Sequence, residues 1–421
     1  MKASVSKSKI KGKVTAPPSK SYTIRGLMCA ALARGESEIV NPLSSDDTEA
    51  SIGVLEKIGV RILQDENFWQ VTGGDFREPN TDLFCRESAA TLRFMTAICS
   101  LIPGRCRLTS SPSLSQRPIK PLIQALRQLG VDCLYRDEES SVVVNGGRFR
   151  GGVVELPGNI SSQFVSALLF ISPFANESTK IRLTTPLESR PFAMMTLECL
   201  KKFGVKVNFS QDLKEFETLR QTYKPAKYIV EGDWSSASYL LALGALSGEV
   251  EVENLNPESL QGDKVILDFL KDMGALVTIG RNAITVKRSS LKSIRANLVD
   301  CIDLLPTVAV LAAAADGASE FTGIERARLK ESNRVASVKK GLEQVGIQVK
   351  EEKNRLTIIG SPARGAVIDS KGDHRIAMAF SLLGSVAGGI VINGAECVSK
   401  TYPEFWDTIK SIGGEVKIDG K

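Results

Sequence analysis

The sequence has a single histidine, three tryptophans and aromatic residues at only 6% of positions. His374 therefore has no partner histidine for a metal centre, and a lone imidazole is more often structural than catalytic. Scarce aromatics argue against a nucleic-acid binder, which interleaves rings with concentrated basic residues. A dominant charge sign is also missing: 54 Lys and Arg face 48 Asp and Glu, a net +6. The densest basic cluster, Lys287, Arg288, Lys292 and Arg295, reads as a solvated face. A mild cationic excess suits a small acidic substrate better. Long apolar runs are absent; stretches such as 308–315 are far too short to span a bilayer. Residues 1–20 carry charge throughout, without the hydrophobic segment of a signal peptide. Eight cysteines (Cys29, Cys85, Cys99, Cys106, Cys133, Cys199, Cys301 and Cys397) form no CxxC pair and sit mostly in apolar segments. That pattern argues against a disulfide framework or a zinc site and for the reducing cytoplasm.

What is present is a repeat. One signature occurs as LEKIGVRI (55–62), LRQLGVDC (126–133), LKKFGVKV (200–207), LKDMGALV (270–277), LEQVGIQV (342–349) and IKSIGGEV (409–416). Its glycines, Gly59, Gly130, Gly204, Gly274, Gly346 and Gly413, lie 67 to 74 residues apart. Each copy reads as a helix end, a glycine able to take the left-handed cap, and a β-branched strand. A second helix precedes each copy, opening near Ser19, Ser88, Ser161, Ser235, Asp303 and Asp373 and running into Ala- and Leu-rich sequence. A helix that is apolar all round is buried, and a Ser or Asp before it is an N-cap. Every repeat is thus predicted as β-α-β-α-β-β, with one internal helix and one more exposed.

Six α/β units in 421 residues imply two domains of three. The seam falls at VEGDWSSASY, giving an N-terminal domain over 15–230 and a C-terminal domain over 231–421. The first strand, 5–14, is expected to join residues 1–14 to the C-terminal domain's sheet, so that two chain crossings form a hinge. Helix starts of both domains pointing at a shared interdomain cleft would make an anion site from their N–H groups and dipoles.

The helix starts carry suitable residues. Repeat one offers Lys20, Ser21 and Arg25; repeat two offers Arg93 and then Arg117. Repeat three offers Ser161, Ser162 and Gln163, neutral donors suited to hydroxyls and phosphate oxygens, followed by Ser189 and Arg190. Repeat five places Asp303 at a helix start, as a cap or as a functional carboxylate, and carries Arg328, Lys330, Glu331 and Arg334. On one helix Lys330 and Arg334 would repel by roughly a few tenths of a kcal/mol, which a bound anion or solvent relieves. Repeat six offers KGDHR (371–375) and then Lys400. Each cluster alone is explained by caps and surface charge; their recurrence at matching places is not.

These segments (PPSKSYTIR, ESAATLRF, SQRPIKPL, SSQF, EGDWSSASY, RLKESNR, GDHRIAM and SKTYPEF) closely resemble the 5-enolpyruvylshikimate-3-phosphate (EPSP) synthase family, in order over essentially the whole chain. The resemblance implies an α/β fold of two domains, each of three βαβαββ repeats in an inverse α/β barrel, closing on the ligands. It implies transfer of the enolpyruvyl group of phosphoenolpyruvate to the 5-hydroxyl of shikimate 3-phosphate, a step toward chorismate and the aromatic amino acids. Carried over by motif, Lys20, Ala89, Arg117, Arg334, Arg375 and Lys400 are the implied phosphoenolpyruvate residues. Lys20, Ser21, Arg25, Ser161, Ser162, Gln163, Ser189, Arg190, Asp303 and Lys330 form the implied shikimate 3-phosphate set. Asp303 and Glu331 resemble the family's acid–base carboxylates, with Lys20 competing for a proton-transfer role. No metal or organic cofactor is expected, nor a nucleic-acid or membrane partner, and a monomer is expected.

The chain also departs from the family pattern. Glu87 stands where many members carry Asn, and Ala89 where the glyphosate-sensitive type carries Gly; the added methyl is expected to crowd the phosphoenolpyruvate pocket and reduce glyphosate sensitivity. Phe192 replaces a common Tyr, and Arg326 replaces an Asn. The nearest rival, UDP-N-acetylglucosamine enolpyruvyl transferase, typically carries a reactive Cys or Asp in the loop before Arg117, which here reads SSPSLSQR. RNA 3′-terminal phosphate cyclase shares the repeat unit but needs a catalytic histidine, and His374 sits in the GDHR motif instead. A non-catalytic six-repeat scaffold on nucleic acid would show steeply salt-dependent binding and no need for Glu331 or Asp303.

Overall fold

A computed structural model describes residues 1–281 and 283–420. The chain divides into two compact units, one of Pro18–Glu231 and one of Met1–Pro17 with Gly232–Lys421. Among the described residues each unit holds three open four-stranded sheets built to one plan. A first strand runs parallel to a second, and the second pairs antiparallel with the nearer of two further strands. In the first unit, for example, Leu83–Phe84 lies parallel to Gly104–Thr109, which pairs with Ser141–Gly146 and then Asp132–Arg136.

Chain order differs from spatial order at the crossings. Lys227–Ile229, late in the first unit, pairs parallel with Gly35–Val40 and so supplies the missing first strand of repeat one. The N-terminal segment is not the single strand expected over 5–14. Lys2–Val5 lies between Ile390–Asn393 and Val416–Asp419 and completes repeat six. Ile10–Thr15 runs parallel to Gly248–Glu253 and opens repeat four. The break has a local cause: the Ser8 hydroxyl donates to Ser6 O at 2.9 Å and accepts from Glu415 N at 2.9 Å, so residues 6–9 turn from one sheet to the next.

Each unit is filled by three internal helices: Lys20–Leu32, Ala89–Ile98 and Ser162–Ile171 in the first, Trp234–Ser247, Leu305–Ala313 and His374–Ala387 in the second. Leu305–Ala313 is buried at every position, as a helix without a polar stripe must be. The outer helices, such as Asp46–Lys57 and Arg334–Gln344, bury one face only. All six signature glycines have positive φ, from 80° to 105°, ending the outer helix in the left-handed conformation before the next strand.

Four of the six expected helix starts are caps. The side chains of Ser19, Ser88, Ser161 and Asp373 accept from backbone N–H groups in their helices' first turns. The other two expectations are corrected. The fourth helix is capped by Asp233, not Ser235, through a 2.7 Å bond from Ser236 N. Asp303 caps nothing; it lies in a short 3₁₀ turn, Ile302–Leu304, leading into Leu305–Ala313, and its carboxylate is spent on cations. No described helix is long and apolar enough to cross a membrane.

The glycine geometry separates two outcomes. A Cβ at Gly274 (φ +86°) would meet no atom closer than 3.7 Å, so Gly274→Ala should destabilise through backbone strain alone, by about 1–2 kcal/mol. Gly53, inside the Asp46–Lys57 helix, has nothing within 4 Å of an added Cβ. Gly53→Ala should stabilise by roughly 0.5–1 kcal/mol. Urea unfolding midpoints of the two variants check both signs.

Candidate functional site

In the first unit, the Ser19 cap puts Lys20 and Ser21 in the opening turn of Lys20–Leu32. Lys20 Nζ donates to Asp47 Oδ2 at 2.8 Å, and Asp47 is itself nearly buried at the start of Asp46–Lys57. Arg25 follows one turn later, buried and held in a fixed plane. Its Nε donates to Thr196 Oγ1 at 2.9 Å, Nη1 to Ser21 O at 3.0 Å and Nη2 to Phe192 O at 3.1 Å. The Phe94 and Phe192 rings lie 5.6 and 5.7 Å from the guanidinium carbon. Burial lowers its proton affinity, and its hydrogen-bond partners are all neutral. A guanidinium kept so retains most of its field for an anion.

Arg93 plays a related part. Its Nη1 donates to Gln163 Oε1 at 2.7 Å and Ser161 Oγ at 3.2 Å, and its Nη2 to Pro118 O at 2.8 Å, beside Arg117. One side chain thus ties the Ser161, Ser162 and Gln163 helix start to the Arg117 loop. The Glu87 carboxylate is hydrogen-bonded to Ser113 in that loop. Ala89, buried, opens the helix capped by Ser88. Ser189 is buried with φ +53° at the N-cap of Arg190–Lys202, and Arg190 is exposed.

The second unit brings five of the expected residues together. Arg334, 1% exposed, is surrounded by carboxylates: Nε on Asp373 Oδ2 at 2.8 Å, Nη1 on Asp303 Oδ1 at 2.6 Å and Nη2 on Glu331 Oε2 at 2.5 Å. Lys330 does not share its helix, which begins at Arg334; the Lys330 backbone is extended. Instead Lys330 Nζ reaches the same Asp303 oxygen at 3.1 Å, so a carboxylate sits between the two cations. Arg375 Nη2 lies 3.6 Å from Asp303 Oδ2, and its Nη1 lies 3.5 Å from the Tyr239 hydroxyl.

Burial would raise the Asp303 pKa, but Lys330, Arg375 and Arg334 together outweigh it and hold the carboxyl well below the usual range. Burial is also the main cause that lowers Lys330, to about 8 despite Asp303. Lys400 is buried at the end of the 3₁₀ turn Ala395–Lys400. Arg326, one of the departures, donates to Val299 O at 2.7 Å. His374 is fully buried, its Nδ1 3.8 Å from Asp373. Among the described residues, no group of three or more His, Cys, Asp or Glu is arranged to hold a metal ion.

Sequence reasoning passed over the residues that hold these groups. Asp47, Thr196, Tyr239 and Asp263 gave no motif signal, since each becomes informative only by its distance to a cation or hydroxyl. Asp373 was legible as a cap; its second duty, on Arg334 and Ser332, was not.

The architecture is that of the enolpyruvyl transferases. An EPSP synthase from Acinetobacter baumannii superposes with a TM-score of 0.84 at 26% identity, covering 99% of this chain and all of that one. The enolpyruvyl transferase NikO from Streptomyces tendae gives 0.81 at 16% identity, covering 99% of this chain and 98% of that one, a likeness of fold alone. A family model described as EPSP synthase (3-phosphoshikimate 1-carboxyvinyltransferase) matches residues 5–409. A 3-phosphoshikimate 1-carboxyvinyltransferase of Dehalococcoides mccartyi is 50% identical over 421 residues, all of both chains. One of Methanocaldococcus jannaschii is 39% identical over 419 residues, 97% of each chain. The chain belongs to the EPSP synthase family.

Removing Arg334 would take the buried counter-ion that three carboxylates share, so Arg334→Ala should cost about 3–5 kcal/mol near neutral pH. The Asp303 pKa is depressed in the fold, so its contribution is complete above the unfolded carboxyl pKa of about 4 and lost as pH falls below it. The variant should therefore lose less stability on acidification than the wild type does. Denaturant titrations at neutral and acid pH check both the loss and the slope.

Proposed function

We propose that the chain catalyses attack of the shikimate 3-phosphate 5-hydroxyl on C2 of phosphoenolpyruvate, giving a tetrahedral ketal that expels phosphate to leave EPSP. The observation that carries this reading is the Arg334 cluster, which gathers Asp303, Glu331 and Lys330 in a chain of this family. In the first half-reaction C3 gains a proton while the acceptor hydroxyl loses one; in the second, C3 returns a proton as phosphate leaves. Glu331 is suited to exchange the C3 proton, and Asp303 to accept the hydroxyl proton, with Lys20 as its competitor.

The Arg334 cluster supports these roles in a particular way. Arg334 is occupied by carboxylates of its own chain. An incoming substrate carboxylate or phosphate competes for the same N–H groups, loosening Arg334 from Glu331 and Asp303. Each anion that engages Lys330, Arg334 or Arg375 weakens their hold on Asp303 and raises its basicity. Binding and activation of the base are then one event. Shikimate 3-phosphate suits the first unit, where Arg25 has only neutral partners and Ser161 and Gln163 are oriented by Arg93. Seven buried free cysteines are in keeping with a cytoplasmic enzyme.

Phosphate release from phosphoenolpyruvate should require shikimate 3-phosphate, and UDP-N-acetylglucosamine should not replace it. Glu331→Ala and Arg117→Ala should each lower turnover by about a hundredfold or more. Release only with the sugar nucleotide would overturn the acceptor; release with neither, from folded protein, would overturn the enzyme reading.

Ala89 gives a second test. Its methyl is buried at the helix start. If that methyl crowds the phosphoenolpyruvate site, Ala89→Gly should lower the half-inhibitory glyphosate concentration by about tenfold or more, the order expected for one carbon in a tight pocket. Equal inhibition of both proteins, at equal phosphoenolpyruvate affinity, would remove Ala89 from that site.

A further inference from the structure

The residues expected to hold shikimate 3-phosphate in the first unit stand on three helices. Ser21 and Arg25 are on Lys20–Leu32, Ser162 and Gln163 on Ser162–Ile171 behind the Ser161 cap, and Arg190 on Arg190–Lys202 behind Ser189. One buried hydroxyl joins all three. Thr196, on Arg190–Lys202, is 0% exposed, as is Ser166 on Ser162–Ile171. Thr196 Oγ1 accepts from Arg25 Nε at 2.9 Å and lies 2.8 Å from Ser166 Oγ. It also donates to Phe192 O at 3.0 Å, the carbonyl that takes Arg25 Nη2 at 3.1 Å. A hydroxyl has one proton and two lone pairs. With its proton on Phe192 O and one lone pair on Arg25 Nε, Thr196 has only a lone pair left, so Ser166 is the donor of their bond. The bonds therefore run in one direction, from Ser166 to Thr196 to Phe192, with Arg25 donating into the middle.

We propose that Thr196 is a positioning residue for the acceptor: its hydroxyl holds the Arg25 guanidinium in register with the Ser162–Ile171 helix, so that shikimate 3-phosphate meets both in one preset geometry. This role rests on the reading of Arg25 as an acceptor ligand. An arginine side chain has many rotamers, and an anion that must freeze them binds more weakly than one met by a fixed fork. Arg25 Nη1 is bonded to Ser21 O within its own helix and Nη2 to the Phe192 carbonyl of Arg190–Lys202. The link onward to Ser162–Ile171 passes through the Thr196 oxygen, which receives Arg25 Nε and Ser166 together. A carboxylate there would orient the guanidinium equally well but would neutralise it. A hydroxyl sets the plane of the charge and leaves the charge for the ligand.

The test is equilibrium binding of shikimate 3-phosphate to the full-length protein by titration calorimetry, with kcat and both KM values alongside, for wild type, Thr196→Val and Thr196→Ser. Valine keeps the branched shape and removes the acceptor from Arg25 Nε. Its Kd for shikimate 3-phosphate should rise by about tenfold or more, the order of one hydrogen bond to a charged group, and the KM for that substrate should rise with it. The kcat and the phosphoenolpyruvate KM should stay within about twofold of wild type. Thr196→Ser restores the hydroxyl and gives up a buried methyl, so its Kd should lie within about threefold of wild type. A role in packing alone predicts the reverse order, with valine better than serine. In an Arg25→Met background, Thr196→Val should add less than about twofold to the Kd, because it acts through Arg25.

Wild-type affinity in Thr196→Val, a serine variant as weak as the valine one, or the full loss repeated in the Arg25→Met background would each overturn the inference. If Thr196→Val does not fold, Thr196→Ser and Thr196→Ala, which differ by the hydroxyl alone, replace it, and equal affinity in that pair overturns the inference. A folded wild type that binds no shikimate 3-phosphate overturns the acceptor reading, and this role with it. A wild type that binds it, with Arg25→Met weakened and Thr196→Val unaffected, overturns only the role of Thr196.

Discussion

Arg334 is the constraint on which the second unit's chemistry depends. A guanidinium that is almost wholly buried must be compensated, and the chain supplies Asp373, Asp303 and Glu331 from three separate segments to do it. Its planar fork fixes all three carboxylates relative to one another, which a lysine could not do. Such a cluster is a poor source of stability compared with an apolar replacement, because desolvating four charges consumes most of the Coulombic gain. Its persistence inside a core of Leu, Val and Ala is better explained by the role proposed for it, which is to hold two carboxylates in a fixed geometry where substrate anions would compete for the same guanidinium.

Arg25 shows the opposite solution to the same problem. It is as buried as Arg334, yet it is met by a hydroxyl, two carbonyls and two ring faces, with no counter-ion among its hydrogen bonds. Dipoles and quadrupoles offset part of the desolvation cost and leave the charge outward-acting. Phe192 suits this arrangement: its ring covers the guanidinium and its carbonyl fixes one edge, so the hydroxyl of the more common Tyr is not needed to hold Arg25.

The repeat and its helix ends were legible because they follow from local rules. A glycine between an amphipathic helix and a strand has few alternatives to the left-handed cap, and all six adopt it. Buried helices were legible from composition, since Ala- and Leu-rich runs have no polar face to expose. The failures came where local rules were degenerate. EGDWSSASY offers Asp233, Ser235 and Ser236 as caps within four residues; Asp233 takes the role, which leaves the Ser235 hydroxyl to Asp263. Residues 2–5 and 10–15 each alternate, and the polar run over 6–9 between them, where the Ser8 hydroxyl accepts from Glu415 some four hundred positions away, divides them into strands of two sheets. Asp303 reads in the sequence as either a cap or a functional carboxylate because both use the same atoms; distinguishing them required the positions of Lys330 and Arg334.

Cap chemistry also separates the two units. All three internal helices of the first unit are capped by serine: Ser19, Ser88 and Ser161. In the second, two are capped by aspartate, Asp233 and Asp373, and the third begins without a side-chain cap. A serine satisfies an orphan N–H without cancelling the positive helix end, whereas an aspartate cancels it. The same βαβαββ unit therefore yields one half whose helix ends remain attractive to a phosphate and another whose cations are already balanced by carboxylates. A half of the first kind is suited to bind an anion directly. In the proposed reaction a half of the second kind would admit one by exchange, and the carboxylates so displaced are the groups proposed to move protons. The division of labour lies in whether a handful of positions carry a hydroxyl or a carboxylate, while the fold around them stays the same.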